Sequence, residues 1–123
     1  MTVVMVLLGG AIGAPMRYLT DLFVQSRHDS VFPWGTFTVN VVGSLILGIT
    51  AAVVTDLGPP AWVLALVGTG FCGALTTFST FGFETIRLLE EGSVLTAVAN
   101  CAASLMVGLG ACAGGYAAAA ALM

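Results

Sequence analysis

The residues able to do chemistry in this chain are the few polar side chains set inside long apolar stretches. Thr36, Asn40 and Ser44 recur at every fourth position, the spacing that places side chains on one face of a helix. Asn40 brings two N–H donors and one carbonyl acceptor, and its plainest use is a hydrogen bond between helices. The densest signal lies between Gly68 and Glu84. There Gly68, Gly70 and Gly73 precede the hydroxyls of Thr76, Thr77, Ser79 and Thr80, in the middle of an apolar span. An uninterrupted helix does not need that composition, whereas a broken one does. At a break, carbonyls lose their partners four residues on and can face a cation, provided the segment is buried in protein or borders a cavity. A kink held by the hydroxyls of Thr76 and Thr77 bonding back to the freed carbonyls is the alternative. Phe78 and Phe81 lie three apart, on nearly one helix face. Aromatic ring edges carry partial positive charge, so rings turned edge-on to a pore can touch an anion without a charged ligand; plain core packing is the alternative.

The residues that are missing narrow the function further. No acidic residue falls in the middle of an apolar stretch, and Glu84 approaches the end of one. A proton-coupled cation exporter needs a carboxylate at the membrane midplane. No nucleophile–base pair is visible and the one histidine, His28, reads as a loop residue, so an enzyme is disfavoured. Cys72, Cys101 and Cys112 form no CxxC pair and read as buried free thiols. Three arginines, no lysine and a net charge of −3 leave no electrostatic basis for binding nucleic acid.

The elements that must position these residues follow from hydropathy. Hydrophobic residues make up 59% of the chain and charged ones 7%, against about 25% charged in a soluble protein; lipid is the solvent this composition fits. A membrane-crossing helix needs about 20 mostly apolar residues. Four stretches qualify, at about Val3–Phe23, Trp34–Thr55, Ala61–Leu89 and from Val94 to the C-terminus. The expected fold is therefore an all-α membrane domain, 1–123, of four transmembrane helices with a break in the third. Between the spans, Gln25 to Pro33 (with Arg27, His28 and Asp29) reads as a polar loop, Asp56 to Pro60 as a turn, and Glu90 to Ser93 as another, with Ser93 able to cap the fourth helix. Val3–Leu8 has no basic flank, which argues for a first helix rather than a cleaved signal. Arg27 and Arg87, with Arg17 near the expected end of the first helix, share one side and would face the cytoplasm; three arginines are a weak bias, compatible with insertion in both orientations. Stripes of small residues (Gly9, Gly13; Gly10, Ala14; Asn100, Ser104, Gly108, Cys112; Gly110, Gly114) let helix backbones meet closely and imply partner surfaces.

Three stretches resemble the Fluc/CrcB family of fluoride channels. They are Gly9-Gly10-Ala-Ile-Gly13-Ala-Pro-Met-Arg17-Tyr18, Pro33-Trp34-Gly35-Thr36-Phe-Thr-Val-Asn40-Val-Val-Gly43-Ser44 and, most specific, Gly70-Phe71-Cys72-Gly73-Ala-Leu-Thr76-Thr77-Phe78-Ser79-Thr80-Phe81. The fourth helix matches loosely through Asn100, Ser104 and Gly108. The resemblance spans nearly the whole chain. It implies a passive fluoride exporter in the inner (plasma) membrane, built as an antiparallel, dual-topology homodimer with two pores. It implies that Asn40 is the pore asparagine, that Phe78 and Phe81 line the pore, that Ser79 and Thr80 form a polar track with Ser104 on the fourth helix, and that Arg17 stands at a vestibule. It implies that backbone carbonyls of Gly73 and Thr76 hold a central structural sodium ion, and it matches Glu84 to an acidic position late in the third helix. Neutral donors suit fluoride, a small and strongly hydrated ion that must leave its water without being trapped.

Two other readings compete. A small four-helix drug or cation exporter would want a glutamate embedded in the first helix, which has none, and Asp21 lies too near that helix's end. A purely structural membrane subunit leaves the clustered hydroxyls and phenylalanines without a use.

Overall fold

The computed structural model describes residues 2–28 and 31–123; Asp29, read above as part of a polar loop, lies outside the described residues. Four segments are long and apolar enough to cross a membrane. α1 (Thr2–Arg27) and α2 (Trp34–Leu57) are continuous helices. The third span, Ala61–Glu90, is composite. It opens as α3 (Ala61–Val63), widens into a π-helix over Leu64–Cys72, tightens to α4 (Gly73–Leu75), passes through extended Thr76 and Thr77, and ends as α5 (Phe78–Glu90). The fourth is α6 (Val94–Leu122). Among the described residues there is no strand.

The burial pattern is that of a lipid-solvated protein. The buried apolar residues are mostly small, such as Ala52, Ala65, Cys72 and Ala97, while large ones point outward: Leu95 is 83% exposed and Leu109 71%. In water this distribution would be costly; in hydrocarbon, exposed leucines cost nothing and helices associate by close packing of small residues. α1 packs chiefly on the π-helical segment and α2 on α6. Both seams depend on glycine. A Cβ on Gly9 would meet the Leu66 carbonyl and come within 2.7 Å of the Phe71 nitrogen, and one on Gly70 would stand 2.7 Å from the Val6 carbonyl. Between α2 and α6, a Cβ on Gly48 would meet the Cys112 carbonyl, and one on Gly115 would lie 2.7 Å from that of Leu45.

Two connections are set by glycines with left-handed backbone. Gly58 (φ 59°, ψ 46°) closes α2 by donating its N–H to the Val54 carbonyl, and Pro59 and Pro60 then prevent continuation. Gly92 (φ 84°) turns the chain between α5 and α6. Two expectations need correction. The polar run from Gln25 is not loop at its start, because α1 continues to Arg27. Its side chains pair locally: Gln25 donates to Asp21 at 2.9 Å, the Ser26 hydroxyl to the Phe23 carbonyl at 2.7 Å, and Arg27 lies 5.0 Å over the Phe23 ring. Arg17 is thus ten residues inside α1 rather than near its end. Ser93 precedes α6, but its side chain makes no capping hydrogen bond.

Candidate functional site

The site forms where the third span loses its helical hydrogen bonds. Thr76 (φ −83°, ψ 161°) and Thr77 (φ −152°, ψ 122°) are both extended, so backbone groups near them need partners other than the usual ones. The Thr77 N–H does not reach the Gly73 carbonyl four residues back; it donates to Asn40 Oδ1 at 2.7 Å. Asn40 Nδ2 in turn donates to the Thr77 carbonyl at 3.0 Å. One side-chain amide on α2 therefore grips a single residue of the third span by both backbone groups, as a neighbouring strand would. Likewise the Thr80 N–H does not reach the Thr76 carbonyl. It donates at 3.2 Å to Thr77 Oγ1, which caps α5. The carbonyls of Gly73 and Thr76 are thus left without their usual helical donors by two identified competing bonds. The Thr76 hydroxyl bonds back to the Cys72 carbonyl at 2.8 Å, and its methyl fits against Gly43.

A groove of about 380 Å³ opens at this point. Asn40, Gly73, Thr76, Phe78, Phe81 and Ser104, all proposed above as site residues, line it together, with Ser44, Thr77 and Gly108. The rings of Phe78 and Phe81 stack at 5.9 Å, 23° from parallel, and Phe78 is 73% exposed. Ser79 and Thr80 occupy the first turn of α5, exposed, and lie outside the groove's lining. Arg17, half-exposed on α1, also lies outside it.

A second amide organises the far wall. Asn100, 1% exposed, donates to Thr85 Oγ1 at 2.9 Å and accepts from the Ser104 hydroxyl at 3.2 Å. The Thr85 hydroxyl continues to the Phe81 carbonyl at 2.8 Å. This chain of bonds ties α6 to α5 behind Ser104 and Phe81. Sequence reasoning placed Asn100 in a stripe of small residues and in the loose fourth-helix match, without a bonding role, and gave Thr85 no role. The i, i+4 spacing of Asn100 and Ser104 was the available signal; Thr85 offered none.

Glu84 is buried midway along α5. Its Oε1 has no hydrogen-bond partner, and Thr36, Asp21 and Arg87 are its polar neighbours. It borders a separate cavity of about 360 Å³ shared with Gln25, His28, Trp34, Arg87 and Glu91, where Arg87 Nε lies 3.5 Å from Glu91 Oε1. Among the described residues no group of three or more His, Cys, Asp or Glu could bind a metal.

Four lipid-facing spans around a largely apolar groove that carries a few neutral polar side chains, opened by an irregularity in one of them, describe a multi-pass membrane protein. The chain belongs to the CrcB-like family (Camphor Resistance, CrcB), whose model matches residues 4–116. It is 57% identical over 118 residues to a fluoride-specific ion channel FluC 1 of Frankia casuarinae, covering 92% of each chain. It is 55% identical over 108 residues to the FluC 1 channel of Streptomyces avermitilis, covering 87% of this chain and 86% of that one. A fluoride-specific ion channel FluC of Shewanella woodyi is 45% identical over 105 residues.

Proposed function

We propose that the protein is a fluoride-selective passive channel that exports fluoride from the cytoplasm across the inner membrane. The observation that carries this is the groove itself. Its described lining holds an amide, hydroxyls and two aromatic rings but no charged side chain, in a chain whose relatives are named for fluoride conduction. Fluoride must exchange water for donors that do not hold it too tightly. Asn40 supplies the N–H that its grip on Thr77 leaves over, and Phe78 and Phe81 supply ring edges. Ser104 would turn its hydroxyl from Asn100 toward a passing anion, giving up one hydrogen bond of about 1 kcal/mol. Ser79 and Thr80 continue the polar path along α5, and Arg17 draws anions to a vestibule.

The working unit is an antiparallel homodimer with two pores. The open side of the groove supports this: Phe78 is mostly exposed, and a Cβ at Gly73 would meet nothing, so the irregular backbone needs a second copy to shield it from lipid. The two extended residues act as a functional break in the third span. The carbonyls of Gly73 and Thr76 fit a structural sodium ion, since both have lost their helical donors and neutral oxygens without a carboxylate suit a monovalent rather than a divalent cation. When bound, that ion would supply fixed positive charge at the dimer axis.

Purified protein in liposomes should pass fluoride down its gradient and exclude chloride. Movement that required a proton gradient would replace the channel with a carrier. Purification with a large organic cation in place of sodium should lower flux; flux and melting temperature both unchanged would remove the sodium ion.

A further inference from the structure

We infer that Thr77 sets the direction of the hydroxyls at the start of α5, making Thr80, and not Ser79, the residue that donates to the anion. The inference rests on the channel reading above and sharpens it. Thr77 is 9% exposed, and both its backbone groups are taken by Asn40, so its hydroxyl is held in a fixed place. That hydroxyl has one proton and two lone pairs. It accepts the Thr80 N–H at 3.2 Å and donates to Thr80 Oγ1 at 3.1 Å. Ser79 Oγ stands 3.4 Å from the same hydroxyl.

The protons can then be assigned. With the Thr77 proton directed to Thr80 Oγ1, the Thr80 hydroxyl accepts along that line and its own proton must point away from Thr77. The remaining lone pair of Thr77 is free to accept from Ser79, which turns the Ser79 proton inward. Two side chains that look equivalent in sequence are thereby opposed: Thr80 presents a proton outward and Ser79 an oxygen. Accepting a bond also polarises the Thr80 O–H and strengthens it as a donor. Thr77 acts through Thr80 and need not touch the ion, so it is a positioning residue.

The test measures fluoride efflux per reconstituted channel, and the fluoride concentration giving half-maximal flux, for Thr77→Ser, Thr77→Val, Thr80→Val, Ser79→Ala and the Thr77→Val/Thr80→Val pair. Thr77→Ser should stay within about threefold of the parent, because the hydroxyl survives. Thr77→Val and Thr80→Val should each lose at least about tenfold and raise the half-maximal concentration, the cost of a weakened hydrogen bond to an anion. The pair should lose no more than Thr80→Val alone, the signature of two residues acting through one group. Ser79→Ala should lose less than about twofold, since its proton faces inward. A purely structural Thr77 would lower the active fraction and the melting temperature without moving the half-maximal concentration. Multiplicative losses in the pair, or equal failure of Thr77→Ser and Thr77→Val, would overturn the role. If Thr77→Val does not assemble, the ranking of Thr80→Val against Ser79→Ala decides alone, and the reverse order overturns it. A parent protein silent toward fluoride would instead sink the channel reading itself.

Discussion

The two halves of the third span are held by opposite means. Up to Cys72, the π-helical segment lies backbone to backbone against α1, with Gly9 and Gly70 removing every atom that could stand between them. Beyond Thr77, α5 is held at a distance by side-chain amides, Asn40 from α2 at its start and Asn100 from α6 along its length. The first half is specified by volume and the second by donors and acceptors. Volume is intolerant of added atoms but indifferent to polarity. An amide clamp tolerates little change in chemistry at nearly constant size. The functional groove sits at the junction of the two, where neither scheme supplies a continuous helix.

The largest expected effect comes from the volume half. Gly9→Leu drives a side chain into the Leu66 carbonyl and the Phe71 nitrogen, and backbone cannot move aside as a flexible side chain can. The cost should exceed about 3 kcal/mol, the upper end for overpacking, and no folded protein should survive detergent extraction. Gly10→Ala, one residue away, would meet its nearest atoms at 3.9 Å and should be neutral in the same size-exclusion assay. Equal behaviour of the two would remove the seam as the reason for glycine.

The next effect belongs to the amide clamp. Asn40→Asp keeps size but replaces the N–H that reaches the Thr77 carbonyl with a carboxylate oxygen, setting acceptor against acceptor and a negative charge in the anion's way. Flux should fall at least about a hundredfold, which is roughly 2.7 kcal/mol, while the glycine seam keeps the protein assembled. Normal flux in a folded Asn40→Asp protein would remove Asn40 from both clamp and pore. Asn100→Leu comes third. It leaves the Thr85 hydroxyl and Ser104 without their shared partner, and should lower stability by about 1–3 kcal/mol, read as a fall in melting temperature, with a smaller loss of flux than Asn40→Asp. A reversed order of flux losses would mean that the far wall, not the clamp, controls conduction.

Much of this was legible in the sequence because hydropathy needs no tertiary information. The four spans, the Gly58 turn and the crowd of hydroxyls after Gly73 could all be read directly. The third span's π-helical stretch could not, because nothing in Leu64–Cys72 distinguishes five-residue from four-residue hydrogen bonding; the close approach of α1 is seen only in three dimensions. Asn40 was legible as an important amide, but not that its acceptor and one donor would be used by backbone. The end of α1 was misread for a local reason. Gln25, Ser26 and Arg27 look like loop residues, yet each makes a contact within one turn of the helix, so polarity there marks the water interface rather than the end of the helix.

The smallest expected effect separates two caps that look alike on paper. Thr77 and Ser93 each precede a helix, α5 and α6, and either could accept a hydrogen bond from a first-turn N–H. Only Thr77 does so, with Thr80. At Ser93 the backbone has φ −89° and ψ 59° and the side chain makes no capping bond; the turn is instead closed by the Ser93 N–H donating to the Leu88 carbonyl at 2.8 Å and by the Ala97 N–H donating to the Ser93 carbonyl at 3.0 Å. Both of those bonds use backbone atoms and survive any substitution of the side chain. Ser93→Ala should therefore change stability by no more than a few tenths of a kcal/mol, well short of the roughly 1 kcal/mol typical of a lost cap. Thermal melts in detergent should place Ser93→Ala on the parent curve. A loss there near the cap value would mean that the Ser93 hydroxyl bonds the α6 backbone in the membrane, and that the contrast between the two helix starts is smaller than their geometry indicates.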